Sequence, residues 1–207
     1  MKVSNRNLAA LAAAILVQSA AAWSAGAPAG PTTARSMPAI ERSLPFDLLG
    51  SGGAINLHGI ENSASVGTGI RGDESIASAR LRLKLNWSPA LLGELSHLRI
   101  SLNGRVVAAL PLPRDQGGRI VERTVDLDPR DFADYNTIRF DLIGHYSTDC
   151  EDPQHTAIWI SIGADSALEL ALRPRPPAND LAVLPAPFFD RHDSRRLELP
   201  VALAAAP

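Results

Sequence analysis

Hydrophobic and polar residues alternate most regularly between Ser78 and Trp87. Every second residue from Ala79 to Trp87 is apolar, and the residues between them are Arg, Lys or Asn. A period of two residues is typical of a β-strand with one buried face. The pattern therefore predicts a long strand whose leucines and Trp87 face a core.

A second alternating segment, residues 97–102, ends at Asn103-Gly104. This pair favours a hairpin turn, because both residues tolerate positive φ. A two-residue loop would place Leu102 opposite Arg105 on the core face. We expect a three-residue loop instead, because it keeps apolar residues opposite one another. It pairs Leu102 with Val106, Ile100 with Ala108 and Leu98 with Leu110.

Shorter segments repeat this rhythm along the chain. They predict strands near residues 54–59, 121–127, 138–142, 158–162 and 168–172, and one helical turn at 128–132 that begins with Asp128-Pro129. Eight or nine short strands with almost no helix favour a two-layer antiparallel sandwich over βαβ units. We therefore expect an all-β jelly-roll sandwich.

The two ends of the chain differ from this central part. Lys2, Arg6 and the apolar run 8–17 predict a secretory signal peptide over residues 1–25, cleaved near Ala22, with an uncleaved anchor as the alternative. Residues 26–45 are rich in Ala, Pro and Gly, which predicts a flexible leader before a folded domain at 46–173. Residues 174–190 are interpreted as a Pro-rich linker.

Composition excludes several kinds of site. The 20 basic and 22 acidic residues are interspersed, so no basic stripe favours nucleic acid. The single Cys150 excludes an internal disulfide, and the five histidines show no metal-ligand spacing. We expect no catalytic residue, no metal and no cofactor. Two alternatives stay open: calcium at Asp73-Glu74 or Glu151-Asp152, and a sandwich-fold hydrolase.

Aromatic residues are few, so each one is informative. Trp159 has the opposite parity to Ile158, Ile160 and Ile162, so it is predicted to face outward, where its ring could stack on a sugar. Packing against a loop or another domain is the alternative. The candidate carbohydrate-binding residues are Trp159, Tyr146 and His145, the last two because they open a polar loop.

Several short motifs, taken in order, resemble one protein family. Arg71-x-Asp73-Glu74 precedes the long strand, and Ser88-Pro89 follows it. Further motifs are Leu98-x-Ile100-x-Leu102-Asn103, Asn136-x-Ile138-x-Phe140, Cys150-x-Asp152, Trp159, Ser166-x-Leu168-x-Leu170 and Leu184-Pro185-x-Pro187-Phe188-Phe189-Asp190. Together they resemble the N-terminal part of the BcsB family, the regulatory subunits of bacterial cellulose synthase, from about Phe46 to Val201.

The resemblance implies a non-catalytic jelly-roll module in the periplasm, at the face of the inner membrane. Its expected partners are the glucan polymer and the catalytic subunit of cellulose synthase, with membrane association through that partner or through a C-terminal anchor expected to be missing here. Residues 191–207 are then the truncated start of a flavodoxin-like domain. The family is often labelled cyclic-di-GMP-binding, a label that no motif here supports. The alternative is an independent secreted carbohydrate-binding module.

Overall fold

The regular structure of the protein is almost entirely β. The computed structural model describes residues 38–59, 61–176, 180–185 and 189–193. Its strands are β1 (Ile40–Pro45), β2 (Ile55–His58), β3 (Glu61–Gly69), β4 (Glu74–Trp87), β5 (His97–Leu102), β6 (Arg105–Pro111), β7 (Val121–Leu127), β8 (Tyr135–Ile143), β9 (Trp159–Ile162) and β10 (Ala167–Pro174). Short helical turns occur at Asp47–Ser51, Arg114–Gln116, Pro129–Asp131 and Leu181–Val183. None of the helices in these ranges has the length and hydrophobicity needed to cross a bilayer.

The strands form two antiparallel sheets. The smaller sheet has the order β3-β8-β5-β6. In the larger sheet, β4 is central. Along one side of β4, β10 pairs with residues 74–82 and β9 with residues 85–87, and β7 pairs along the other side. Strands β1 and β2 pair with β10 and β9, respectively. The architecture is an antiparallel jelly-roll sandwich, which confirms the predicted fold class.

The alternation in β4 sorts its side chains between core and surface. Leu81, Leu83 and Leu85 are at most 1% exposed, whereas the residues between them remain partly accessible. Trp87 is fully buried, and its indole N–H donates a hydrogen bond of 3.1 Å to the carbonyl of Pro113. A buried tryptophan usually finds such a partner for its one polar group. The predicted core role of Trp87 is confirmed.

The core lies between the two sheets. Phe46, which follows β1, packs against Phe140 of β8 with 5.6 Å between the ring centroids. Leu98 and Ile100 of β5 are fully buried on the same inner face of the smaller sheet. Burial of this continuous apolar layer is the main force that holds the sheets together.

The hairpin between β5 and β6 differs from its predicted register. The turn has two residues, Asn103 and Gly104, both with positive φ, so Leu102 lies opposite Arg105 and the predicted partner Val106 was wrong. A bulge at Val107 then shifts the register. It restores the predicted pairs Ile100 with Ala108 and Leu98 with Leu110. One extra residue in β6 therefore combines a tight turn with correct inward packing.

Two strands lie where the sequence pattern predicts none. Strand β1 occupies residues 40–45, inside the segment predicted as a flexible leader, and pairs with β10 from Ile40 opposite Leu172 to Pro45 opposite Ala167. The leader prediction was wrong for these six residues. Strand β3 pairs with β8 along its whole length, but its inward residues are small, so its alternation is weak.

The pairing along one side of β4 is interrupted between β9 and β10. Strands β9 and β10 both pair with β4, and residues 163–166 bulge out between them. The Gly163 amide donates to the Lys84 carbonyl at 2.8 Å, and the Lys84 amide donates to Ser166 Oγ at 3.0 Å. These bonds hold the bulge against β4 where the ladder is interrupted.

Candidate functional site

Trp159 lies on the outer face of the larger sheet, at the first position of β9. Ile158 and Ile160 on either side are fully buried, whereas Trp159 is partly exposed, so its predicted outward direction is confirmed. Its partner across the sheet is the exposed His58 of β2. Among the residues described, no aromatic ring stacks on the indole. Part of the ring is therefore accessible on the outer face.

A groove of about 350 Å³ lies on the same outer face of the larger sheet. It follows β4 between the start of β7 and the bulge at 163–166. Ser161, which shares the outward face of β9 with Trp159, forms part of its wall. The side chains that line the groove include Lys84, Asn86, Ile120, Glu122, Ser161 and Asp165. We refer to Trp159 and these six residues as the outer-face site.

The outer-face site contains hydrogen-bonding groups of both kinds. Lys84 Nζ lies 2.5 Å from Asp165 Oδ2, and this hydrogen bond lowers the pKa of Asp165. The buried Oδ1 of Asn86 accepts no hydrogen bond, and Ile120 is 75% exposed at the groove's margin. Sugar hydroxyls both donate and accept, and sugar rings have apolar faces. The mixture of groups therefore suits a neutral polyhydroxylated ligand.

His145 and Tyr146 lie in the loop between β8 and β9, where both serve the loop's own structure. Tyr146 stacks on His155 with 4.4 Å between ring centroids, and its hydroxyl accepts from the Asp152 amide at 2.7 Å. The carbonyl of His145 accepts hydrogen bonds from the Leu92 amide and the Ser96 hydroxyl. A sugar contact by either residue stays a prediction, and no ring contact joins them to Trp159 in the part of the chain that is described.

Glu151 organises this loop. Its carboxylate accepts from the amides of Tyr146 at 2.6 Å and Ser147 at 2.9 Å, and lies 2.7 Å from His145 Nδ1. The hydrogen bond from Ser147, together with that from His145, lowers the pKa of Glu151 despite partial burial. One carboxylate therefore ties three consecutive residues of the loop together.

The adjacent carboxylates considered for calcium have protein partners. Asp73 accepts two hydrogen bonds of 2.7 Å from Arg71, and Glu74 accepts from Arg42 at 2.7 and 2.9 Å. Glu151 accepts hydrogen bonds from two backbone amides of its own loop. Over the ranges given for the structure, no three His, Cys, Asp or Glu side chains form a cluster that could hold a metal ion.

Sequence reasoning identified Trp159 but missed the rest of the outer-face site. Lys84 and Asn86 belong to the polar half of the longest alternating strand, to which the sequence pattern alone assigns no site residue. Asp165 reaches Lys84 because the bulge at 163–166 brings it there. The alternating polar residues of β4 could have indicated these site residues. Placing them near Trp159 also requires the pairing of β4 with β9, which the sequence pattern does not provide.

Residues 40–174 match the model of the family described as cellulose synthase BcsB, first CBM domain. The chain belongs to the BcsB family. The match covers all ten strands, so the sandwich is the family's first carbohydrate-binding-module domain, and the resemblance stated from the motifs is confirmed.

BcsB relatives are similar over most of this chain. The cyclic di-GMP-binding protein of Xanthomonas axonopodis pv. citri is 46% identical over 146 residues, which are 70% of this chain and 18% of the relative. The cyclic di-GMP-binding protein of Escherichia coli K12 is 34% identical over 178 residues, 86% of this chain and 23% of the relative. The chain thus spans about a fifth of the length of the curated BcsB relatives that it matches.

Similar solved structures include carbohydrate-binding modules. A family 35 module from an environmental isolate has 13% identity and a TM-score of 0.30, covering 58% of this chain and 76% of that module. The CBM51 module of Clostridium perfringens GH95, in complex with methyl-galactose, has 15% identity and a TM-score of 0.29, covering 66% of this chain and 92% of that module. Structural similarities with TM-scores this low do not identify a ligand or a binding site.

Proposed function

We propose that this BcsB chain is a non-catalytic periplasmic module of a bacterial cellulose synthase complex. It guides the nascent β-1,4-glucan and associates with the catalytic subunit of that complex. Family membership supports the role in cellulose synthesis. The proposed glucan contact rests on one observation, the outward, partly exposed ring of Trp159 beside a polar groove.

The geometry of the outer-face site is suited to guiding rather than to tight capture. The ring of Trp159 provides an apolar platform for one sugar face, and the groove next to it provides polar partners for hydroxyl groups. One aromatic ring beside an open groove buries little ligand surface, so binding is weak and reversible. A polymer that must move past the module requires contacts of this kind.

The histidine rings give no support to a hydrolytic role. Among the described residues, the side chains bonded to histidine nitrogens are the carboxylates of Glu151 and Asp190, and the Ala157 amide donates to His155. No serine, threonine or cysteine side chain donates to a histidine ring within these residues. Absence of reducing-end release from β-glucans is the expected outcome of an activity assay.

The relatives are named cyclic di-GMP-binding proteins, but the outer-face site does not suit that ligand. Two phosphate groups require cations that are free to meet them. Among the described residues that line the groove, the one cation is Lys84, which is paired with Asp165, and Glu122 adds a further negative charge. We therefore propose that this groove serves a neutral glucan and that it takes no part in nucleotide binding.

Retention on insoluble cellulose tests the glucan contact. We expect measurable retention of the chain, and its loss in Trp159→Ala, because the stacking platform is removed. Trp159→Phe should retain part of the binding. The control is Tyr135→Ala, which removes an aromatic ring that is 63% exposed elsewhere on the surface. Retention that is equal in Trp159→Ala and the unaltered chain would contradict the proposal.

Co-purification with the catalytic subunit tests the partner. We expect association when this chain is produced as part of a longer BcsB polypeptide, and cell fractionation should place that polypeptide at the periplasmic face of the inner membrane. No association of either the longer polypeptide or this chain with the catalytic subunit would count against the complex. Cellulose retention without any such association would instead favour the independent secreted module.

A further inference from the structure

Two motifs that are far apart in sequence meet at the turn between β3 and β4. This turn contains Arg71, Gly72 and Asp73, and the motif that contacts it is the acidic turn Asp190–Asp193. The Gly72 amide donates to Asp190 Oδ2 at 2.8 Å, and Arg71 Nη1 donates to Asp193 Oδ2 at 3.0 Å. The bonded residues are 118 and 122 positions apart in sequence.

Arg71 is oriented for this contact by its own turn. Its Nε and Nη2 donate to the two carboxylate oxygens of Asp73 at 2.7 Å each, which fixes the plane of the guanidinium group. The remaining Nη1 points at Asp193. The side chains of Arg71 and Asp193 are only 13% and 16% exposed, so solvent screens this ion pair less than it screens one on the surface.

The acidic turn is also ordered internally. Asp190 Oδ1 accepts from the His192 amide at 2.8 Å, and the Asp193 amide donates to the Asp190 carbonyl at 3.0 Å. Asp190 is 9% exposed at its side chain. Burial raises its pKa, but the hydrogen bonds from the Gly72 and His192 amides outweigh burial, and the net pKa is lowered. The carboxylate is therefore held in its charged form inside the contact.

Shape complementarity supports the same contact independently of charge. A Cβ atom on Gly69, at the end of β3, would lie 1.9 Å from the carbonyl oxygen of His192. No side chain fits at Gly69 while the acidic turn is in place. By contrast, a Cβ atom on Gly72 would have Asp190 Oδ2 as its nearest neighbour, at 3.8 Å, which is an ordinary contact.

We propose that the β3–β4 turn is a receptor for an Asp-x-x-Asp turn, which in this chain is Asp190–Asp193. Occupation of this receptor makes residues 189–193 a fixed strap on the sandwich instead of a free linker. The inference is independent of the proposed glucan role, because the strap contacts the β3–β4 turn, which contains none of the residues of the outer-face site.

Distance measurements between two spin labels test the strap in the whole chain. One label is placed on the native Cys150, which is exposed, and the other on Arg191→Cys, an exposed position within the strap. We expect a narrow distance distribution. It should broaden in the double variant Asp190→Ala/Asp193→Ala, which removes both carboxylates, and in Gly69→Ala, which introduces a steric clash without changing charge.

Two matched controls accompany these variants. Gly72→Ala has room for its methyl group, and Arg80→Ala removes an arginine whose ion pair with Asp126 is at the surface. Both should keep the narrow distribution, and thermal unfolding should show that every variant remains folded. A broad distribution in the unaltered chain, or a narrow one in both the double variant and Gly69→Ala, would overturn the proposal.

Discussion

Two tryptophans on neighbouring strands of the larger sheet have opposite environments. Trp87 of β4 lies next to β9 and pairs with Ile160, which directly follows Trp159. Trp87 is fully buried with its N–H bonded, whereas Trp159 is partly exposed on the other face. The two rings lie on opposite faces of the sheet only because they occupy opposite positions in the alternation of their strands. The comparison shows that one residue type can serve the core on the inner face and remain available for recognition on the outer face.

The largest expected effect comes from the inner face. Trp87→Ala should reduce the free energy of unfolding by about 3–5 kcal/mol, because it leaves a cavity and removes the hydrogen bond from the indole N–H to the Pro113 carbonyl. Denaturant unfolding measures this loss. A change below about 1 kcal/mol would mean that the inner face is not the close-packed core described here.

The same contrast holds along β4 itself. Leu83→Ala should cost about 2–5 kcal/mol, because Leu83 is fully buried between the sheets. Lys84→Ala, one residue away on the outer face, should leave the unfolding midpoint nearly unchanged, since its ion pair with Asp165 is open to solvent. Equal losses for the two variants would show that β4 does not divide core from surface.

Acid should affect two outer regions before it affects the core. The pKa values of Glu151 and Asp190 are lowered in the folded state, so their stabilising bonds are present above the unfolded pKa values, near pH 4. These bonds are lost as the pH falls through the lower, folded values. The carboxyl carbon resonances of Glu151 and Asp190 should therefore have their main titration step below about pH 4. A main step of either carboxyl carbon above about pH 5 would contradict these hydrogen bonds.

A small effect on stability, about 1 kcal/mol or less, is expected for Trp159→Ala, because the ring lies on the outer face of the larger sheet. The same change should abolish retention on cellulose. A large stability loss would instead show that Trp159 serves packing, which was the alternative interpretation of its sequence position.

Much of the sandwich could be predicted because period-two alternation is strong wherever large apolar residues define the inner face, as in β4, β5 and β8. Strand β3 was missed because its inward residues Ala64, Val66 and Thr68 are small, so pairing with β8 determines the strand more than its own pattern does. Strand β1 was missed for a similar reason, because only Leu44 of its residues is buried.

The hairpin and the outer-face site show where local pattern is insufficient. The bulge at Val107 lets a two-residue turn coexist with inward packing of the apolar residues. The apolar pattern is satisfied in part by a two-residue loop and in part by a three-residue loop, so it does not choose between them. The groove requires the bulge at 163–166 to bring Asp165 to Lys84. Likewise, the contact between Arg71 and Asp193 joins residues 122 positions apart, which local sequence reasoning cannot bring together.

The indole N–H resonances of Trp87 and Trp159 test the central claim most directly, in a titration of the isotope-labelled chain with a soluble cello-oligosaccharide. Weak, fast-exchanging contacts are visible in such spectra even where retention on cellulose is slight. We predict that the Trp159 resonance shifts with ligand concentration while the Trp87 resonance stays fixed. A fixed Trp159 resonance up to the solubility limit of the ligand would contradict a glucan contact on the outer face.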